Sequence, residues 1–134
     1  MYNLKATIIG AGIGGLTAGI ALKQAGYDVT IYERVTKLRP AGAGISLWSN
    51  GVKVLNRLGL GHEIAAIGGE MHRMECRSHK DEALNNVDLQ PLFSTVGQRP
   101  YPVARTDLQE MLLAAFGPQN VHLSMKCTAV EQTD

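Results

Sequence analysis

A group of closely spaced glycines near the start of the chain has the clearest chemical meaning. Gly10, Gly12, Gly14 and Gly15 follow a short apolar run, and the acidic Glu33 comes 23 residues after Gly10. Glycine permits a tight turn, and without a Cβ the backbone can approach a pyrophosphate closely. A carboxylate after the next strand can accept hydrogen bonds from ribose hydroxyls. This ordered pattern predicts a dinucleotide site.

These residues need a strand, a helix and a second strand to position them. Residues 4–9 predict a buried strand, residues 14–25 a helix whose amino end faces phosphates, and residues 27–32 a second strand. Gly15 is expected to let the helix pack close to the first strand, and Glu33 to stand at the carboxyl end of the second. The alternative is an ordinary glycine-rich turn with a solvated Glu33.

Length and composition predict one domain at most and exclude several partners. The 134 residues carry a net charge near +1, which gives no electrostatic case for nucleic acid or an anionic membrane. No apolar run approaches the roughly 20 residues of a membrane span, and no secretory signal is visible. Cys76 and Cys127 are expected to be reduced thiols, so the predicted location is cytoplasmic.

The middle of the chain is predicted to form structural elements without a chemical role, apart from one glycine-rich loop. Residues 40–47 predict a loop whose glycines suit a close approach to a ligand, although a plain connection is the alternative. Ser49 or Asn50 is expected to cap a helix over 51–58. Residues 70–77 alternate as a half-buried strand, and residues 78–98 predict a hairpin and loop. A strand would separate His72 from Cys76 by about 13 Å, so no metal site is predicted.

The last third predicts a helix followed by two strands. Thr106 and Gln109 fit a capping box for a helix over 107–116. Arg105 precedes that cap, where it either pairs with a surface acid or reaches an anionic ligand. Residues 121–123 and 127–131 read as strands. A doubly wound sheet with so few strands leaves an open edge, and a fragment of a longer chain is therefore expected.

Three segments carry a resemblance to a known family over essentially all 134 residues. They are GAGIGGLTAGIALKQAGYDVTIYER, GAGISLWSNGVKVLNRLGL and VARTDLQEML. In this order they resemble the front of the class A flavoprotein hydroxylases, the FAD-dependent aromatic monooxygenases. The resemblance implies an α/β fold with an incomplete, Rossmann-like FAD-binding domain of three layers around a mostly parallel sheet. It also implies that residues 1–134 are the N-terminal FAD-binding part.

The same resemblance implies roles for nine residues. The four glycines would cradle the FAD pyrophosphate, and Glu33 with Arg34 would hold the adenosine ribose region. Ser46 would lie near the flavin, Arg105 would reach the FAD, and the backbone of Cys127 would contact adenine. Relatives often carry Ala where this chain has Gly19.

The family uses FAD, with NAD(P)H as reductant, to transfer one oxygen atom to an aromatic or purine-like substrate. Its two later cofactor motifs and its substrate domain have no counterpart in residues 1–134, so no catalytic residue is predicted and the chain alone is expected to be inactive. Two alternatives stay open: a non-catalytic nucleotide-binding module and an NAD-binding dehydrogenase domain. The second is disfavoured because residues 34 to 120 interrupt regular βαβ alternation. Oligomeric state is left open.

Overall fold

The computed structural model describes residues 4–38 and 42–132, which divide into two compact units. Unit 1 comprises Met1–Gly42 and Arg105–Asp134, and unit 2 comprises Ala43–Ala104. In chain order the elements are β1 (Lys5–Ile9), α1 (Ile13–Gln24), β2 (Asp28–Tyr32), β3 (Gly44–Leu47), α2 (Ser49–Arg57), α3 (Gly61–Ile67), β4 (Arg73–Arg77), β5 (Ala83–Asp88), α4 (Gln90–Val96), β6 (Tyr101–Ala104), α5 (Arg105–Phe116), a 3-10 turn (Pro118–Asn120) and β7 (Val121–His122).

Unit 1 contains a parallel sheet with the strand order β1, β2, β7. Ala6 lies opposite Val29 and Ile8 opposite Ile31. α1 connects the first two strands, so the predicted α/β fold with a mostly parallel sheet is confirmed. The buried apolar side chains of this unit come from α1, β2, α5 and the loop before α1, and they include Ala11, Leu16, Ile20, Val29, Ile31, Leu108, Leu112 and Phe116.

α1 and α5 pack closely where Gly19 faces the ring of Phe116. A Cβ on Gly19 would lie 2.8 Å from Cε2 of Phe116 and 3.2 Å from Cδ1 of Ile31. At the end of α1, Nζ of Lys23 donates to the Phe116 carbonyl at 2.9 Å and lies 4.8 Å from the ring centroid. Gly19 therefore permits the close packing that its small size predicts.

Unit 2 is built from two antiparallel strand pairs and three helices. β3 pairs with β6, with Ile45 opposite Val103, and β4 pairs with β5. The hairpin therefore begins in the strand predicted over 70–77, and only its second arm, β5, lies within residues 78–98, where a whole hairpin was predicted. The buried apolar residues here include Val52, Leu55, Leu60, Ile64, Leu89 and Val103. Among the described residues, no helix is long and apolar enough to cross a membrane.

Four expectations for unit 2 were wrong in detail. The predicted loop 40–47 contains strand β3, because its backbone pairs with β6; residues 40 and 41 lie outside the described part of the chain. β4 is exposed throughout rather than half-buried. Helix α4 lies within the predicted turn-rich stretch, with Pro91 in its first turn. Neither Ser49 nor Asn50 caps α2, because the helix begins at Ser49 and its N-cap residue is Trp48; the Ser49 hydroxyl donates to the Gln98 carbonyl at 2.8 Å.

Two expectations for unit 1 also fail. α5 begins at Arg105, before the predicted cap, and the Gln109 side chain bonds elsewhere, so there is no capping box. Residues 127–131 form no strand, although residues 121 and 122 do. Ser124 has φ of 60°, which turns the chain away from the extended conformation directly after β7.

Candidate functional site

The glycine loop connects β1 to α1 through two glycines with different backbone conformations. Gly10 has φ of +103°, a region that favours glycine, and its N–H donates to the Tyr32 carbonyl at 2.8 Å. Gly12 is extended, with φ of −76° and ψ of 179°, and its carbonyl accepts from the Leu16 N–H at 2.9 Å. The loop thus leaves β1 by a turn that glycine allows and enters the helix at Gly12.

The amino end of α1 is open to an anion. No side chain caps it, and its first turn contains no acidic residue. The N–H groups of Ile13, Gly14 and Gly15 belong to the first turn, where the helix itself supplies no acceptor, and the helix dipole is positive at this end. A Cβ at Gly12 or Gly14 would meet nothing within 4 Å. The loop therefore offers donors, positive potential and space for a phosphate group.

Gly15 has a packing role of its own. A Cβ at this position would overlap the carbonyl oxygen of Gly10 and would lie 3.4 Å from Cγ2 of Ile8. The helix can approach the end of β1 this closely only because residue 15 has no side chain. The predicted close packing of helix on strand is confirmed.

Glu33 lies directly after β2 and is held by backbone groups on both carboxylate oxygens. Oε2 accepts from the Ala11 N–H at 2.8 Å, and Oε1 accepts from the Val35 N–H at 3.1 Å. Burial alone would raise the pKa of Glu33, but the N–H donors of Ala11, Val35 and Arg34 and the charge of Arg34 lower it overall. Glu33 is therefore an anion that is tied to the glycine loop.

A recess of about 410 Å³ lies beside the carboxyl ends of β1 and β2. It is lined by Ile9, Tyr32 and residues 124–127. In open α/β sheets, ligands bind outside the carboxyl ends of the strands. Cys127 is exposed and belongs to this lining, although it lies in irregular backbone rather than in the predicted strand.

The remaining predicted residues lie on the surface. Arg34 follows Glu33, and Arg105 is the first residue of α5. Within residues 4–38 and 42–132, Arg105 forms no ion pair with an acidic side chain, and its contact with FAD stays a prediction. Ser46 is exposed on β3 in unit 2, opposite Pro102, and its place near the flavin stays a prediction.

One residue of this region was missed by sequence reasoning. Gln109 points its amide at the glycine loop, where Nε2 donates to the Ala11 carbonyl at 2.8 Å. The capping-box pattern assigned this side chain to its own helix. The available sequence signal was the neighbourhood of Gln109: Leu108 and Leu112 have the spacing of a buried helix face, and in the structure both are buried and Gln109 is half-buried.

The parallel strands, the glycine loop and the acid after β2 together define a dinucleotide-binding α/β protein. The comparison with known families is more specific: over residues 3–134 the chain matches, and therefore belongs to, the FAD binding domain family. FAD is the cofactor of this family, and the open helix end and the anionic Glu33 fit its phosphate and ribose groups.

Individual relatives are flavin monooxygenases. The chain is 48% identical over 129 residues to the FAD-dependent urate hydroxylase of Mycolicibacterium vanbaalenii, covering 96% of this chain and 33% of that protein. It is 37% identical over 130 residues to the 3-amino-4-hydroxybenzoate 2-monooxygenase PtmB3 of Streptomyces platensis, covering 96% and 33%.

A solved structure has the same fold. The crystal structure of Klebsiella pneumoniae HpxO complexed with FAD and uric acid matches with a TM-score of 0.89 and 40% identity, over 97% of this chain and 33% of that one. The chain thus spans about a third of the length of the relatives it matches.

Proposed function

We propose that residues 1–134 form the N-terminal FAD-binding portion of a flavin monooxygenase of the urate hydroxylase type. The full protein would hydroxylate a purine-like or aromatic substrate with NAD(P)H as reductant. FAD, when bound, supplies the redox chemistry with dioxygen, and the protein binds and orients it. The supporting observation is the open amino end of α1 beside the anionic Glu33, in a chain 48% identical to a urate hydroxylase.

Each part of the site has a stated task in this proposal. The N–H groups after Gly12 bind the pyrophosphate, and Gly10, Gly14 and Gly15 shape the loop around it. The carboxylate of Glu33, with Arg34 beside it, binds the ribose hydroxyls. The recess that Cys127 lines takes the adenine, which would contact the Cys127 backbone, so the thiol itself has no role.

Two further residues, Arg105 and Ser46, are each proposed to lie near the FAD. Arg105 is an exposed cation at the start of α5, and its charge suits an anionic group of FAD. Ser46 would lie toward the flavin. Replacement of either residue by Ala should therefore weaken FAD binding. Replacement of the exposed Arg57 of α2 by Ala is the control, because Arg57 is a cation with no assigned role.

Titration of the purified chain with FAD and with NADH tests the cofactor assignment. We expect saturable FAD binding, seen as quenching of flavin fluorescence, and weaker binding of NADH. Tighter binding of NADH would instead indicate an NAD-binding dehydrogenase domain. If neither FAD nor NADH binds, the chain is better described as a non-catalytic truncated module.

A chimaera tests the proposed enzyme class. The 129 residues of this chain that align with the Mycolicibacterium vanbaalenii urate hydroxylase would replace the matching third of that protein. We expect the chimaera to retain urate-dependent NAD(P)H oxidation and the chain alone to have none. A chimaera that folds and binds FAD but does not respond to urate would contradict the urate hydroxylase assignment, and 3-amino-4-hydroxybenzoate is then the next substrate to test.

The site of action proposed for the full protein is the cytoplasm. The support is that both cysteines, Cys76 and Cys127, are free and exposed, as is usual in a reducing compartment.

A further inference from the structure

Ala11 is held from both sides by side chains that are distant in sequence. It is fully buried within the glycine loop. Its N–H donates to Oε2 of Glu33 at 2.8 Å, and its carbonyl accepts from Nε2 of Gln109 at 2.8 Å. Gln109 lies 98 positions away along the chain. Buried backbone groups of a loop need such partners, because no ladder or helix supplies them here.

We propose that Gln109 is a positioning residue for the dinucleotide loop. By fixing the carbonyl of Ala11, it sets the plane of the peptide bond between Ala11 and Gly12, and so the direction of the Gly12 N–H and of the turn that enters α1. The inference rests on the proposed function, in which this turn receives the pyrophosphate. Gln109 itself need not touch the cofactor.

The physical need for this contact comes from the neighbours of Ala11. Gly10 and Gly12 have no side chains to restrict their backbone dihedrals, so the loop between them is intrinsically mobile. The carbonyl can only accept, and the glutamine amide therefore presents its nitrogen. Leu108 and Leu112 are buried on either side of Gln109 in α5, which gives the amide a rigid base.

Two substitutions separate positioning from packing. Gln109→Leu removes the donor at similar size, and Gln109→Glu keeps the shape but sets a carboxylate against the carbonyl. Gln119→Glu makes the same chemical change at an exposed glutamine of unit 1 and serves as control. If one Gln109 variant does not fold, the other still provides the test.

The first measurement needs no cofactor. Loss of the Gln109 bond to the Ala11 carbonyl, at about 1 kcal/mol, should make opening of the loop about fivefold more frequent. By NMR, we therefore expect the amide of Ala11 to exchange with solvent about fivefold faster in both Gln109 variants. The amide of Ile20, in the middle of α1, should be unchanged. Unaltered exchange of the Ala11 amide, or equal acceleration at Ile20, would overturn the proposal.

The second measurement connects the contact to binding. We expect the dissociation constant for FAD to rise about fivefold in Gln109→Leu and more in Gln109→Glu, with rescue of Gln109→Glu as falling pH protonates its carboxyl and restores a donor. FAD binding by the wild type and by Gln119→Glu, measured over the same pH range, gives the part of the pH dependence that comes from groups other than residue 109. Wild-type affinity in both variants would overturn the proposal. Failure of the wild type to bind FAD would refute the proposed function, while the exchange measurement would still decide the role of Gln109.

Discussion

The carboxylate of Glu33 accepts a hydrogen bond from the Ala11 N–H at 2.8 Å, across 22 positions of the chain. The acid that follows β2 therefore holds the loop that follows β1. From the sequence pattern, the acid and the loop are expected only to bind the same ligand: the acid contacts its ribose and the loop contacts its pyrophosphate. In the structure they are also bonded directly, so Glu33 contributes to the stability of the site as well as to its chemistry.

Replacement of Glu33 is expected to weaken both folding and binding. Glu33→Gln removes the charge that strengthens the bonds from Ala11 and Val35, and we expect the free energy of unfolding to fall by about 1 kcal/mol. Urea denaturation of the chain measures this change, with the exposed Glu131→Gln as control. Equal stability of the two variants would show that the Glu33 contacts are energetically neutral.

The lowered pKa of Glu33 predicts a pH dependence of stability. Since the folded-state pKa lies below the ordinary value of 4.5, the contribution of Glu33 is fully present above pH 4.5 and is lost as the pH falls through the folded-state pKa. Unfolding free energies of wild type and Glu33→Gln should therefore differ at pH 7 and converge below pH 4.5. A constant difference across this range would contradict the assignment.

Gly14 and Gly15 are neighbours with opposite predicted responses to alanine. Gly15→Ala places a Cβ on the Gly10 carbonyl oxygen, and we expect a loss of about 2 kcal/mol or more from overpacking against backbone. Gly14→Ala meets nothing within 4 Å and should leave stability unchanged or raise it by up to about 1 kcal/mol through helix propensity. Thermal unfolding of the pair compares them directly, and similar melting temperatures would contradict the packing role of Gly15.

Gly19 and Phe116 are expected to be energetically coupled. Gly19→Ala forces a Cβ to within 2.8 Å of a fully buried ring, at a cost of about 1–3 kcal/mol that exceeds the gain in helix propensity. Phe116→Leu should relieve that contact, so the double variant should lose less stability than the two single variants summed. Strict additivity in urea denaturation would show that the two sites do not interact.

The sequence predicted the local elements well and the long-range contacts poorly. The glycine spacing, the apolar run and the β-branched residues before Glu33 are local signals, and the elements they predict form within one or two residues of the expected bounds. Strand β3 was missed because its pairing depends on residues 101–104, far along the chain. The role of Gln109 was misassigned for the same reason, since a capping-box pattern cannot show that a side chain reaches Ala11.

The loop at Gly12 is proposed to receive the pyrophosphate of FAD. Gly12 has φ of −76° and open space around it, so Gly12→Ala is expected to leave the unfolding free energy unchanged. A Cβ would occupy the space that the pyrophosphate needs, and we expect the dissociation constant for FAD, measured by flavin fluorescence, to rise about tenfold or more, a change of about 1.4 kcal/mol. Equal affinity of wild type and Gly12→Ala for FAD would contradict the account.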